Sequence, residues 1–313
     1  MKKILIGIFW VTMALGELNL VPGRLSIDGL FVGYGVIYQG RSKGWSNNGF
    51  EFRWRLGTLS LTGDIRENTT AKIEFDFSHL SLRDLYIHFN LGKGFALRTG
   101  QFAIPMSFEA ETPERYLKVE EYSILYGIMS KPNTIRDIGI LLDWQAQVVG
   151  SALRLLTGVM NGTGPNSTDN NTNKDVFTRV VFTPVNTANL SLGGRAYCGW
   201  VNPEAVRWLG FAGEAVYQEK SFTIAAEVAY RRYQNISTSA GLLEAAYEFG
   251  VIAPAMRFEG MRSTDGQQQF RVLSALTVKP VGDNLKVMIG YQYNTLRKIW
   301  SYQGLIVQLV TGF

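Results

Sequence analysis

Cysteine and histidine are almost absent from this chain of 313 residues. It has one cysteine, Cys198, and two histidines, His79 and His88. A single cysteine excludes a disulfide framework and a cysteine-rich zinc module. Two histidines leave little for metal binding or acid–base chemistry, and neither is accompanied by a serine nucleophile motif. We therefore predict no catalytic residue, no cofactor, no metal site and no enzymatic activity.

Charge is also scarce, and neither sign dominates. Charged residues make up 18% of the chain, whereas soluble domains usually carry about 25%. The formal net charge is +5, and it falls to about +3 once the N-terminal Lys2 and Lys3 are set aside. Nucleic-acid-binding domains need a much stronger basic bias. The composition therefore predicts that no nucleic acid is a partner.

Long apolar runs are missing after the first sixteen residues. At the start, Lys2 and Lys3 precede an apolar run over residues 4–15, and Ala14 and Gly16 have the spacing that signal peptidase requires. We predict a signal peptide over residues 1–16 and a single domain over residues 17–313. An N-terminal membrane anchor is the alternative, although the run is shorter than the roughly 20 residues that span a membrane. Beyond Gly16, no stretch approaches 18 apolar residues, so any membrane-spanning elements must be strands.

The strongest positive signal is alternation of apolar and polar residues. In one segment, for example, Phe52, Trp54 and Leu56 alternate with Arg53 and Arg55. A strand with this period of two places the two sets on opposite faces. We predict sixteen such strands, at residues 24–38, 48–63, 68–78, 80–90, 94–102, 135–145, 148–160, 174–184, 187–199, 207–218, 221–232, 239–249, 251–260, 267–279, 283–294 and 301–313.

The connections between these strands are expected to alternate in length. Those near 64–67, 91–93, 145–148, 184–187, 218–221, 249–251 and 280–283 are short, whereas those near 39–47, 103–134, 161–174, 199–207, 232–239, 260–267 and 295–300 are longer. Short periplasmic turns and longer outer loops are typical of bacterial outer-membrane barrels. The pattern predicts an all-β fold, a 16-stranded antiparallel transmembrane β-barrel whose outer surface contacts outer-membrane lipid. A soluble β-sandwich or β-helix also alternates, but its strands are usually only about 5–6 residues long.

Aromatic residues at the strand ends favour the membrane barrel. Trp45, Trp200, Trp208 and Trp300 lie near the longer connections and Trp144 near a short one. This arrangement predicts aromatic girdles at the two membrane interfaces.

The chain ends in Phe313, on the same predicted face as Thr311 and Leu309. An aromatic residue at the end of an outward strand face resembles the signal that the barrel-assembly machinery reads. We expect Phe313 to be recognised in this way.

Several segments, taken in order, resemble the phosphate-selective porin O and P family. They are GFEFRWRLG at 49–57, KIEFDF at 72–77, LRDLY at 82–86, RTGQF at 98–102 followed by Pro105, RDIG at 136–139, GVMNG at 158–162 and DVFTR at 175–179. The resemblance covers about residues 49–184 and the C-terminus. It implies a sixteen-stranded homotrimeric porin with a loop folded inward to constrict the pore, and known phosphate-selective members use an arginine ladder and a lysine cluster.

The expected lumen carries equal numbers of basic and acidic residues, twelve of each, which argues against strong ion selectivity. The basic residues that we predict to line the pore are Arg53, Arg55, Lys72, Arg98, Arg154, Arg179 and Arg195. Each of these arginines could instead be a wall residue neutralised in an ion-pair network.

The longest connection is the predicted constriction loop, since long loops in compact proteins are usually functional. Its charged residues are Glu109, Glu111, Arg115, Lys118, Glu120 and Glu121, together with Glu114. Facing Arg53, Arg55 and Arg98, such an acidic loop is expected to create a transverse field, as in general diffusion porins. The segment 114–122 could form a short helix, and a solvated surface loop is the alternative.

The sequence thus predicts an outer-membrane porin that lets small hydrophilic solutes and ions diffuse passively, with phosphate preference left open. A barrel enzyme and an adhesin or structural anchor are the alternatives from other classes. Residues 169–175 place Asp169, Asn171, Asn173 and Asp175 at the alternating positions of a Ca²⁺ loop. Lys174 and Val180 stand where that motif requires glycine and glutamate, so a solvated turn is favoured over Ca²⁺ binding.

Overall fold

The computed structural model describes residues 18–21, 25–42, 45–129, 135–187, 189–201, 206–297 and 300–313. Eighteen strands occur in these ranges: β1 Leu18–Val21, β2 Leu25–Ser42, β3 Trp45–Arg66, β4 Thr69–Asp76, β5 Ser81–Gly92, β6 Phe95–Ala103, β7 Arg136–Val148, β8 Ser151–Met160, β9 Asp175–Thr183, β10 Leu190–Val201, β11 Val206–Glu219, β12 Phe222–Tyr233, β13 Ile236–Tyr247, β14 Ile252–Ser263, β15 Gln268–Val278, β16 Pro280–Asp283, β17 Leu285–Leu296 and β18 Trp300–Gly312. Two short helices, a 3₁₀ turn at Glu114–Tyr116 and α1 at Ile124–Met129, lie between β6 and β7.

Sixteen of these strands form a closed antiparallel barrel. From β2 to β18 each strand pairs with the next, with the four-residue β16 omitted from the ring. The ring closes because β18 pairs with β2, from Trp300 opposite Ser42 to Gly312 opposite Leu30. The short β1 pairs with the start of β2, Leu18 lying opposite Ile27. Closure leaves no open sheet edge, as a spanning sheet requires.

The prediction of a sixteen-stranded antiparallel barrel is confirmed, and each predicted segment overlaps one barrel strand in order. The connections differ from expectation. Those near 39–47, 232–239 and 260–267 are short, because the flanking strands extend further than their apolar alternation indicates. For example, Gln234 and Asn235 alone join β12 to β13, and Gln234 adopts a positive φ of 53° in this tight turn.

The two ends of the barrel differ in their connections. The loop end carries the connections at 104–135 and 161–174, and the turn end carries the two-residue turns 67–68, 93–94, 149–150 and 220–221. Both chain termini of the barrel, at Leu25 and Phe313, lie at the turn end. The other loop-end connections that the structure describes in full, 77–80, 234–235 and 264–267, are also short.

The outward and inward faces invert the pattern of a soluble protein. Large apolar side chains are exposed on the outside, with Phe52 and Trp54 each 75% exposed. Charged side chains such as Arg257 and Glu259 are buried inside, each 1% exposed. An apolar outer band around a polar lumen is the arrangement that lipid requires of a barrel.

The tryptophans depart in part from the expected girdles. Trp208 faces inward and is 1% exposed, because it packs edge-on against Tyr197 with ring centroids 4.5 Å apart. The prediction that it belongs to an interfacial girdle is therefore wrong. Trp144 stacks on Phe95 near the turn end.

Among the described residues, no helix has the length and apolar character needed to cross a membrane.

Candidate functional site

The connection between β6 and β7 fills much of the lumen. Its described part, residues 104–129 and 135, includes the two short helices and returns to the wall at β7. The helix over 114–122 that the sequence suggested is limited to the 3₁₀ turn at Glu114–Tyr116. Leu125 and Met129 of α1 are buried against an apolar patch of the wall that contains Phe102 and Trp208. This packing holds the second half of the loop against β11–β14.

Two β-bulges in the wall direct arginine side chains toward the loop. Arg55 is an extra residue in β3 where the pairing with β2 shifts, and Arg83 is an extra residue in β5 where the pairing with β4 shifts. Both reach Glu114 in the 3₁₀ turn, Arg55 Nε at 3.7 Å and Arg83 Nη2 at 3.6 Å. Arg55 also donates a hydrogen bond to the backbone carbonyl of Glu120. A bulge re-aims a side chain that the regular alternation would place elsewhere.

The opposite wall holds the loop through Arg257 of β14. Its guanidinium lies 2.6 Å from Glu109 of the loop and 2.5 Å from Glu244 of β13. It also donates to the carbonyl oxygen of Glu121 at 2.9 Å. Arg257, Glu109 and Glu244 are all buried, at 1%, 2% and 3% exposure. Buried charges persist only when they are paired in this way, so the cluster fixes the loop at its centre.

Arg271 of β15 makes the neighbouring attachment. It pairs with Glu121 at 2.9 Å and with Glu259 at 2.7 Å, and it donates to the carbonyl of Tyr122 at 2.7 Å. Glu259 in turn accepts a hydrogen bond from the backbone N–H of Ile124, 3.1 Å away. The start of α1 is thereby fixed to β14.

A chain of ion pairs runs along β8–β12 and takes in the loop residue Glu111. Glu111 bridges Arg154, 3.0 Å away, and Arg179. Arg179 also pairs with Glu214, which lies 2.9 Å from Arg195. Arg195 ends the chain at Glu227 of β12. Each of these three arginines therefore has at least two carboxylate partners.

At the turn end the loop contacts three further strands. Arg115 pairs with Asp28 of β2, and its carbonyl accepts a hydrogen bond from Lys286 of β17. Lys118 pairs with Glu248 of β13 at 2.9 Å. Lys118, Glu248 and Lys286 line a cavity of about 430 Å³.

Lys72 and Arg53, two of the predicted pore-lining residues, lie away from these attachments. Lys72 pairs on the wall with Glu74 at 2.6 Å and with Asp84 at 3.0 Å, and Arg53 pairs with the adjacent Glu51.

Arg98 has no carboxylate within ion-pair distance among the described residues. It lies instead over the ring of Tyr86, 4.6 Å from the centroid. The expected opposition of loop carboxylates to Arg53, Arg55 and Arg98 is therefore met only at Arg55.

The loop lies between the turn-end cavity and a second cavity at the loop end. Toward the loop end lies a cavity of about 580 Å³ lined by β2, β3, β17 and β18. A cavity of about 300 Å³ shares Tyr34, Glu121 and Ile306 with it and continues past Arg55 to Gln308. These two cavities therefore lie along the wall at β2 and β18, beside the loop.

Glu120 stands apart from the other loop carboxylates. It is 2% exposed, and neither carboxylate oxygen has a hydrogen-bond partner among the described residues. The carboxylate lies against Gly290 of β17, where an added Cβ atom would be 2.8 Å from Oε2 of Glu120. Burial, reinforced by the neighbouring charge of Glu121, raises the pKa of Glu120 to about 7. An unpaired buried carboxyl favours its neutral form.

Several lumen residues escaped sequence reasoning. Arg83 and Asp28 carry loop contacts, but the alternation points only to Asp84 beside Arg83. Arg136 pairs with Asp84 at 2.9 Å, although the sequence marks it only as part of a motif. The shift of register at the bulge of Arg83 leaves no sequence signal, and the partners of Asp28 and Arg136 are distant in the chain, so these contacts become visible only in the structure.

The Asp- and Asn-rich connection at the loop end forms local turns. Asp169 pairs with Lys174, and the backbone N–H of Asn173 donates to Asn171 at 2.6 Å. Within the described ranges, no group of three or more His, Cys, Asp or Glu residues is arranged to hold a metal ion.

Comparison with known proteins agrees with this geometry. The family model "Phosphate-selective porin O and P" matches residues 30–210, more than half of the chain. No curated protein matches.

Solved structures share the fold at low identity. An anion-selective porin from Comamonas acidovorans is 11% identical, with 92% of this chain and 99% of that chain covered and a TM-score of 0.69. The outer membrane channel DcaP of Acinetobacter baumannii is 12% identical, with 92% and 97% covered and a TM-score of 0.65. Salmonella typhi OmpF is 14% identical, with 95% and 100% covered and a TM-score of 0.62. The chain therefore belongs to the phosphate-selective porin O and P family and is a porin of the bacterial outer membrane, a channel for passive diffusion of small hydrophilic solutes.

Proposed function

We propose that this porin is a weakly ion-selective diffusion channel whose route is narrowed by the loop between β6 and β7. The observation that carries the proposal is the pairing of the lumen charges. Six of the seven basic residues predicted to line the pore have a carboxylate partner: Arg53, Arg55, Lys72, Arg154, Arg179 and Arg195. A ladder of unpaired guanidinium groups would attract anions strongly, whereas paired charges leave a weak net field.

The narrowest part of the route is proposed to lie between the loop and the wall at β2 and β18. Glu120 and Glu121 of the loop and Tyr34, Arg55 and Gln308 of the wall line the cavity there. Solutes would exchange part of their hydration for these polar groups as they pass.

Phosphate or general anion preference is the second candidate, and one cluster favours it. Lys118, Lys279 and Lys286 surround the turn-end cavity. Two carboxylates offset them, because Glu248 pairs with Lys118 and Lys279, while Asp283 pairs with Lys279 and Lys286. This pairing supports weak preference over tight phosphate binding.

The proposal also covers the N-terminal segment, the outer surface of the barrel and the C-terminal residue. Residues 1–16, which lie outside the described residues, serve as a cleaved signal peptide and residues 17–313 form the mature domain. The apolar outer band contacts lipid, and Phe313, whose ring lies over Gly29, is read by the barrel-assembly machinery.

A homotrimer is the proposed assembly. It is supported by the fold shared with OmpT of Vibrio cholerae, described in a trimer form, at 10% identity and a TM-score of 0.59. Sedimentation of detergent-solubilised protein tests this assembly, and a monomer would refute it.

Reversal potentials in a planar bilayer test the channel proposal directly. Under a KCl gradient, we expect discrete conductance steps with a small reversal potential and little block by added phosphate. A large anion-selective potential with phosphate block would instead favour the lysine cluster as a binding site. Absence of conductance would refute the channel and favour an enzyme or an anchor.

A further inference from the structure

The loop-end cavity has a lining that a simple water-filled entrance does not need. Its volume of about 580 Å³ lies within the roughly 300–1,000 Å³ range of small-molecule sites. Three tyrosines line it, Tyr34 and Tyr38 from β2 and Tyr302 from β18. Tyrosine combines a large apolar face with a hydroxyl, so it serves ligands that have both characters.

Glycines on the neighbouring strands determine how two of these rings lie. Tyr38 lies opposite Gly49 on one side and Gly304 on the other. Its ring comes within 2.7 Å of the position that a Cβ at Gly49 would take, and the hydroxyl of Tyr302 lies 2.9 Å from the equivalent position at Gly304. Both rings therefore lie along the wall, with centroids 5.8 Å apart and planes 25° from parallel.

Neutral polar groups also surround the rings. Gln292, Asn294, Asn47 and Ser301 line the same cavity. Amide and hydroxyl groups both donate and accept hydrogen bonds, as ligand hydroxyls require.

The charged groups of the cavity balance one another. They are two arginines, Arg41 and Arg53, and two glutamates, Glu51 and Glu121. Arg53 is paired with Glu51, and Glu121 with Arg271. With two basic and two acidic side chains, the described lining has no net charge to offer an ionic ligand.

We propose that this cavity is a binding site for neutral cyclic saccharides, which it concentrates at the loop end before they pass the loop. The C–H faces of a pyranose ring would pack on Tyr38 and Tyr302, and its hydroxyls would bond to the amides of Gln292 and Asn294. Saccharide binding adds a solute class to the proposed channel function. Only the passage that follows binding rests on that function.

Calorimetric titration of the folded full-length porin with maltose tests the site without requiring conductance. The detergent is an alkyl amine oxide, because sugar-headed detergents would compete. Saturable binding is expected, with a Kd raised about three- to tenfold in Tyr38→Leu and in Tyr302→Leu. Gly49→Ala keeps both tyrosines but places a methyl group where the Tyr38 ring lies, so it is expected to weaken binding as well.

Two controls separate a ring-stacking site from unspecific effects. Tyr230→Leu removes a tyrosine from the outer face of β12 and is expected to leave the Kd unchanged. Mannitol, which has hydroxyls but no ring face, is expected to bind much more weakly than maltose. Absence of saturable maltose binding, equal binding of mannitol, or a Kd unaffected by Tyr38→Leu and Tyr302→Leu would each overturn the proposal. Because bilayer conductance without sugar is measured separately, failure of the channel and failure of the site are distinguishable.

Discussion

Arg55 and Arg83 are the extra residues of two separate β-bulges, and both guanidinium groups reach the carboxylate of Glu114. The bulges lie on β3 and β5, with β4 between them. Two irregularities of the wall thus converge on a single residue of the inserted loop. The wall is irregular where it must hold the 3₁₀ turn.

Replacement of Glu114 by Gln is expected to loosen the loop by about 1–3 kcal/mol, because two partly buried arginines lose their shared partner. The measurement is the thermal unfolding midpoint in detergent, followed by circular dichroism. Glu51→Gln is the matched control, since Glu51 forms a more exposed pair with Arg53 that should contribute at most about 1 kcal/mol. Equal effects of the two variants would contradict the anchoring role of Glu114.

Replacement of Arg257 by Met should destabilise the porin by about 3–5 kcal/mol at pH 7, because buried Glu109 and Glu244 remain without their cation. The thermal midpoint of the variant should recover toward the wild-type value below about pH 4.5, where carboxylates protonate. Arg53→Met removes an exposed arginine and should change the midpoint little at either pH. A loss for Arg257→Met that is independent of pH would show that packing, rather than charge, explains the effect.

Replacement of Glu120 by Gln should stabilise the porin at high pH. The folded pKa of Glu120 is raised to about 7 by burial, so ionisation disfavours the folded state as pH rises from about 4.5 to about 7. Below pH 4.5 the carboxyl is neutral in both states, and the two proteins should unfold alike. Above pH 7 the advantage of Glu120→Gln should level off at up to about 3 kcal/mol. Thermal midpoints measured from pH 4 to pH 8 test this, and a difference that is constant across the range would refute it.

Replacement of Glu111 by Gln should shift the reversal potential toward anion selectivity, because Arg154 and Arg179 each lose one carboxylate partner. The shift is measured in a planar bilayer under a KCl gradient. Glu219→Gln makes the same change of charge at an exposed position outside the lumen and should leave the potential unchanged. If both variants shift it equally, the pairing of Glu111 does not govern selectivity.

The barrel could be predicted from the sequence because its signal is local and repeated. Alternation marks every strand, and short turns connect most of them. The alternation fails at single residues, as Leu56 shows: it follows the outward-facing Phe52 and Trp54 in register, yet it is 3% exposed because the bulge at Arg55 turns it inward.

The loop contacts could not be predicted in the same way. Glu109 and Arg257 meet across 148 positions of the chain, and no periodicity relates them. Trp208 has the sequence context of an interfacial girdle, but α1 and Tyr197 offer it an apolar patch inside the lumen. Packing between distant elements decided its orientation.

Closure of the barrel by β2 and β18 has a consequence for the order of folding. Every other barrel pairing joins barrel strands that follow one another along the chain, so these hairpins can form one after another. The pairing of Leu30 with Gly312 joins nearly the whole length of the chain and carries the highest loop-closure entropy. Contacts of such high sequence separation form slowly. Until β18 arrives, the edge of β2 beyond its pairing with β1 is unpaired and prone to aggregate, so a partly folded chain must be kept soluble for that interval.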